Sequence, residues 1–148
     1  MINMKLKAFQ GMFFNPAKVQ PAADRAKRSV LSKFGAFVRR TAKSSIRKRK
    51  KTAAPGRPPT NRTGLLKKFI FFGYNPLTES VVIGPAKLNS KKGDVPESLE
   101  FGGKTTVVTG RKLKRKKRKV SIEARPFMKP AEEKELPKLP DMWKNSIK

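Results

Sequence analysis

The chain contains no histidine and no cysteine. Nucleophilic catalysis would therefore rest on serine, threonine or lysine. Two stretches, Lys43-Ser44-Ser45 and Asn89-Ser90-Lys91-Lys92, set a hydroxyl beside an amine, the minimum for a Ser–Lys pair. With 37 Lys and Arg in the chain, such adjacency arises by chance and predicts no catalysis. Glu132, Glu133 and Glu135 form the one carboxylate cluster. A metal-dependent nuclease needs several carboxylates around a cation, and Glu132 and Glu135 would share a helix face. The plainer account is the first turn of a helix, where the dipole favours acids. Gly84-Pro85-Ala86-Lys87 follows a strand-like run but lacks the longer glycine-rich turn and the Lys-Ser/Thr of a phosphate loop. Without Cys and His, disulfides and nearly all zinc and iron sites are excluded. The expectation is a chain that is no enzyme and holds no cofactor.

What remains is charge. The formal net charge is +27, from 37 basic and ten acidic residues. Before Asp94 the only acids are Asp24 and Glu79, and five of the ten lie between Glu123 and Asp141. A compact monomer so charged repels itself, so an anionic partner or a neighbouring subunit is expected. Two runs concentrate the charge. One is Arg47, Lys48, Arg49, Lys50 and Lys51; the other is Arg111, Lys112, Lys114, Arg115, Lys116, Lys117, Arg118 and Lys119. These are the candidate residues facing DNA or a partner. Exposed cations near phosphate act through counterion release and read no sequence. No helix-turn-helix, zinc-finger or RNP1 pattern occurs. Phe69, Phe71 and Phe72 could stack on bases, but a core strand accounts for them better.

No apolar run approaches the roughly 18 residues that span a bilayer, and the N-terminal stretch lacks the features of a signal peptide. A cytoplasmic site of synthesis is expected, and the Asn61-Arg62-Thr63 sequon is read as accidental.

The elements that must position these cations follow from periodicity. Residues 1–20 read as an N-terminal strand and arm, with Ile2, Met4, Leu6 and Ala8 alternating with polar residues. Apolar residues at Ala26, Val30, Phe34, Phe37, Val38, Thr41 and Ile46 predict a long helix over 21–50, about 40 Å in length. Pro21 suits its first turn and Asp24 its dipole. Residues 52–64, with three prolines and two glycines, read as a loop. Residues 65–124 read as a sheet region: a hairpin over 68–84, a short helix at Val95–Gly103, then two strands around the second basic run. That run, flanked by KTTVVT and KVSIEA, reads as the far end of a β-hairpin and not as a loose tail. Residues 125–148 form a C-terminal helical segment, opened by Pro130 and broken by Pro137 and Pro140, with Met142, Trp143 and Ile147 expected to be buried. The chain is thus a single α+β domain, a long N-terminal helix and a C-terminal helix packed on a small, mostly antiparallel sheet with a long basic β-hairpin.

Several segments, in order, resemble a family. PGRPPTNRTGLLKKFI pairs a Pro/Gly loop with Thr-Gly-x-Leu; VVIGP follows, then ESLEFGG, then ARPFMKPA at the opening of the last helix. This order is similar to that of the neck or tail-completion (head–tail joining) proteins of tailed bacteriophages, and the likeness runs over about residues 21–147. The basic runs are heavier than that pattern requires. The resemblance implies a structural protein of the virion, assembled in the host cytoplasm. It implies a homo-oligomeric ring, expected to be six-fold. The ring would join connector proteins to the tail tube around a channel for genomic DNA, with no membrane involved. It marks Pro55, Gly56, Pro58, Pro59, Thr63, Gly64, Leu65, Glu100, Phe101, Gly102, Arg125, Pro126, Phe127 and Met128 as interface or structural positions. The alternative from composition alone is a stand-alone, non-specific nucleic-acid binder of ribosomal or nucleoid type.

Overall fold

The computed structural model describes residues 16–86, 95–109, 116–144 and 146. Helix α1 (Pro16–Ser45) is followed by a one-turn helix α2 (Leu65–Lys68), strands β1 (Ile70–Asn75) and β2 (Ser80–Pro85), and helix α3 (Val95–Phe101). Strands β3 (Gly103–Thr109) and β4 (Lys116–Ile122) come next. Helix α4 (Lys129–Glu135), a 3-10 turn (Leu136–Lys138) and helix α5 (Leu139–Trp143) close the chain. The α+β architecture is as expected. Its strands form two separate two-stranded antiparallel sheets, β1–β2 and β3–β4. The N-terminal strand over residues 1–8, with Phe13 and Phe14, lies outside the described residues.

The long helix begins and ends about five residues earlier than the periodicity predicts. Residues 16–20, expected in the arm, are helical, so Pro21 lies inside the helix, where it removes one backbone hydrogen bond. Asp24 is therefore interior and pairs with Lys27 at 3.0 Å. At the other end, Ser44 and Ser45 donate their hydroxyls to the carbonyls of Thr41 and Ala42, both at 2.8 Å. Such back-bonding weakens a helix interior. Continuing would also stack the cations 47–51 three and four residues apart, where like charges repel. The helix stops before them.

Ala26, Val30, Phe34, Val38, Ala42 and Ile46 are buried, each four residues after the last. A step of four advances about 40° round the helix, so the stripe winds and different elements cover its parts. Phe34, Val38, Ala42 and Ile46 join Ile70 from β1 with Phe127 and Ala131 from the C-terminal segment in one core. Leu66, Val81, Ile83, Leu99, Met128, Leu139 and Met142 flank it. Trp143, expected inside, is over a third exposed, and Ile147 lies outside the described residues.

Hairpin β1–β2 lies close on α1 at Gly35. A Cβ there would stand 2.7 Å from Val81 Cγ2 and 2.9 Å from Phe72 Cδ2, so only glycine permits this approach. Lys27 also reaches across to Glu79 in the hairpin turn, at 2.6 Å. Those two carboxylates raise the Lys27 pKa, the Glu79 hydrogen bond contributing most.

Candidate nucleic-acid interface

The second basic run is divided by the limits of the described residues: Arg111, Lys112, Lys114 and Arg115 fall outside them, and Lys116–Lys119 lie on β4. Charge alone would keep such a run from pairing; the register shows what permits it. Val108 stands opposite Lys117, Val107 opposite Arg118, Thr106 opposite Lys119 and Thr105 opposite Val120. Every cation of β4 thus meets an uncharged, β-branched position, and no like charges face each other directly. Lys117, Arg118 and Lys119 are exposed, while Val120 and Ile122, nearer the base, are half-buried. Seven residues per strand carry the pair about 20 Å.

The base of this hairpin is a backbone knot. Gly102 turns the chain from α3 into β3 at φ 76°, and a Cβ there would meet Ala124 N at 3.0 Å and Ile122 O at 3.1 Å. Arg125 N donates to Leu99 O at 2.7 Å, Arg125 Nε to Ala53 O at 3.0 Å, and Gly56 N to Ala124 O at 2.9 Å. Glu100 accepts from three successive amides: Phe127 N at 2.9 Å and Met128 N at 3.1 Å on Oε2, and Lys129 N at 3.0 Å on Oε1. A carboxylate at the opening of α4 satisfies amides that have no intrahelical partner. Three of the quoted segments, around Gly56, Glu100 and Arg125–Met128, therefore meet in space.

Most of the marked positions act within the chain. Phe127 and Pro59 are buried. Asn61 Oδ1 accepts from Gly64 N at 2.7 Å and Thr63 Oγ1 from Leu65 N at 3.4 Å, which sets the turn into α2. Gly64 holds it at φ 83°. Phe101 differs: it is 76% exposed. Leu65 is also exposed, and Pro55 and Gly56 lie at the surface of the loop, whereas Pro58 and Pro126 are half-buried.

The first basic run is not the end of a helix. It is irregular, bent at residues 46, 50 and 51, and is held by Asn61 N donating to Arg47 O at 3.1 Å and by Arg62 donating to Lys50 O at 3.2 Å. Arg47, Arg49 and Lys51 line one cleft, joined there by Arg57 of the Pro/Gly loop. Lys48 and Lys50 line a second with Arg62, and Arg49 borders both. Neither Arg57 nor Arg62 stands out in the sequence, because only the fold-back of the loop brings them to the run. Nearby, burial and then the Arg39 and Lys67 cations push the Lys43 pKa down. Among the described residues, the ion pairs use Lys27, Lys138 and Lys144, and none uses Lys117, Arg118, Lys119 or a cation of 47–51.

The carboxylate cluster does not assemble a metal site. Glu135 is buried against α1, accepting from Thr41 Oγ1 at 2.7 Å and pairing with Lys138 at 2.6 Å. Glu132 and Glu133 are exposed. Among the described residues, no group of three or more His, Cys, Asp or Glu could hold a metal, and no helix is long and apolar enough to cross a membrane.

The aromatic strand divides between core and surface. Ile70 and Phe72 face α1, whereas Phe71 is 50% exposed. Register sets Phe71 opposite Gly84 and Gly73 opposite Val82, so the outer face here is apolar and is not covered by any of the described residues. Phe69 packs edge-on to Phe71, ring centroids 6.3 Å apart.

Compared with known proteins, the chain matches no family model, no curated protein and no solved structure.

Proposed function

We propose that this chain is a non-enzymatic structural subunit of the head–tail junction of a tailed phage, which self-associates into a ring and meets genomic DNA without reading its sequence. The observation that carries this reading is the contrast between the hairpins. Among the described residues, one keeps an apolar face without cover on a chain that should repel its copies, and the other holds exposed cations, Lys117, Arg118 and Lys119, that pair with no acid. An uncovered apolar face fits a neighbouring subunit, and cations on an extended support fit phosphate. A ring closes both needs, since each copy covers the next and the cations gather around one channel. The convergence of the PGRPP, ESLEFGG and ARPFMKPA segments on one knot gives these residue types a structural reason to occur together.

The test is imaging of particles assembled without the protein. Tailless heads beside free tails are expected; joined, normal particles would sink the proposal. Purified protein should form rings in negative stain. The clefts lined by 47–51 favour a second reading, a monomeric nucleic-acid binder. A monomer that coats DNA and forms no rings would establish it.

A further inference from the structure

We infer that the cleft between residues 45–54 and 57–60 is a groove for the phosphodiester backbone of a single nucleic-acid strand, with Arg47, Arg49, Lys51 and Arg57 as its phosphate ligands. This rests on the reading of the chain as a partner of nucleic acid and adds a specific place and chemistry to it.

The cleft, about 250 Å³, has four cations and no acid in its lining. Three of the four are arginines, whose planar fork meets two phosphate oxygens at once. Thr52 and Thr60 add hydroxyls. The remaining wall is Ser45, whose hydroxyl donates to Ala42 O, with Ala53, Ala54, Pro58 and Pro59. The two prolines have no amide to offer an anion, and the apolar wall suits sugar rings.

The supports of this cleft are fixed before any ligand arrives. Arg47 O and Lys50 O are bonded to residues 61 and 62, Ala53 O is bonded by Arg125, and Gly56 N is bonded to Ala124 O. Cations held together in this way repel one another in the free protein, and a polyanion relieves that repulsion while releasing counterions. Arg49 decides between one phosphate and a chain of them. It borders the neighbouring cleft of Lys48, Lys50 and Arg62, so the row of cations continues past the first cleft. A ligand with charges at repeated intervals fits that row, and a lone phosphate does not. At about 250 Å³, between the 45–54 segment and the loop 57–60, the cleft has room for part of one strand and cannot enclose a duplex.

The experiment measures binding of the full chain to a short single-stranded oligonucleotide, a duplex of equal length and inorganic tripolyphosphate, each at two salt concentrations. The double variant Arg49→Gln/Arg57→Gln is compared with Lys117→Gln/Lys119→Gln on the hairpin, both first shown to melt as the parent does. The cleft variant should weaken single-strand binding about ten-fold or more and lower its salt slope by about 1.4, two cations at about 0.7 each. The hairpin variant should weaken single-strand binding less and duplex binding more. Arg57→Lys, which keeps charge and loses the fork, should cost several-fold for the single strand. Equal losses from cleft and hairpin variants with every probe would overturn the groove in favour of diffuse charge. Tripolyphosphate binding as tightly as the oligonucleotide would overturn the strand assignment in favour of a free polyphosphate. Particle assembly is scored separately, so normal joining without the protein would remove the junction role and leave the groove standing.

Discussion

The β1–β2 and β3–β4 pairs are both two-stranded antiparallel hairpins, of six and seven residues per strand. A lone hairpin of this size is marginal in water. The first is stabilised from beneath, by Ile70 in the core and by the close approach at Gly35. The second is held at its base, by the Gly102 turn, α3 and half-buried Val120 and Ile122. Beyond that base it depends on backbone pairing between a neutral strand and a cationic one. The first hairpin is thus part of the core, whereas the second is tied to the rest of the chain at its base. The same local structure is reached by two different balances, one of packing and one of charge placement.

Substitution should separate them. Ile70→Ala, at a fully buried position, is expected to cost about 2–5 kcal/mol. Val120→Ala, on the half-buried base of the other hairpin, is expected to cost about 1 kcal/mol. Urea titration with an unchanged slope measures both, and equal costs would erase the distinction.

At the border between the hairpins' territories, Glu100→Ala leaves three amides of the 127–129 turn without their acceptor. A loss of about 1–3 kcal/mol is expected, with Glu100→Gln in between. Hydrogen exchange should show the loss first in α4; exchange unchanged there would mean that water replaces the carboxylate at no cost.

Acid should act on the core side. Lys138 and then Thr41 hold the Glu135 carboxyl below the usual range, against the opposing effect of burial. Its contribution is complete above the unfolded value of about 4.3 and disappears as pH falls through the lower folded value. Melting temperature should therefore drop below about pH 4.3 more steeply in the parent than in Glu135→Gln. Parallel curves would show that the pair carries no acid sensitivity.

The smallest effect on stability is expected at the basic strand. Lys117→Gln/Lys119→Gln should shift unfolding by no more than about 0.5 kcal/mol. Yet it should lower the salt slope of duplex binding by about 1.8, two cations at about 0.9 each. A large change in stability would mean that these side chains support the hairpin and do not merely ride on it.

Much of this was legible in the sequence. The helical stripe from Ala26 to Ile46 has one clear period, and a basic run flanked by two β-branched stretches reads as a hairpin arm. The end of α1 was not legible, because back-bonding by Ser44 and Ser45 and repulsion along 47–51 override the dipole's preference for terminal cations. Nor was the split of that run between two clefts, since it follows from the fold-back of the loop, whose Asn61 and Arg62 bond the run's backbone. The acids were misleading in a different way. A cluster in one helical turn divides into one core carboxylate and two solvated ones, and Thr41, which binds the core one from α1, lies 94 positions away.

That distance has a consequence for synthesis. The long helix is made well before Phe127 and Ala131, which share its core with Val38 and Ala42. Until those residues follow, hairpin β1–β2 is the one part of the described core that can cover the apolar stripe of α1, whose other faces carry lysine and arginine. Charge of one sign should keep such nascent chains apart in the meantime. A chain stopped before Phe127 would leave that part of the stripe open, so the segment from Phe127 to Ala131 is the point of commitment to the fold.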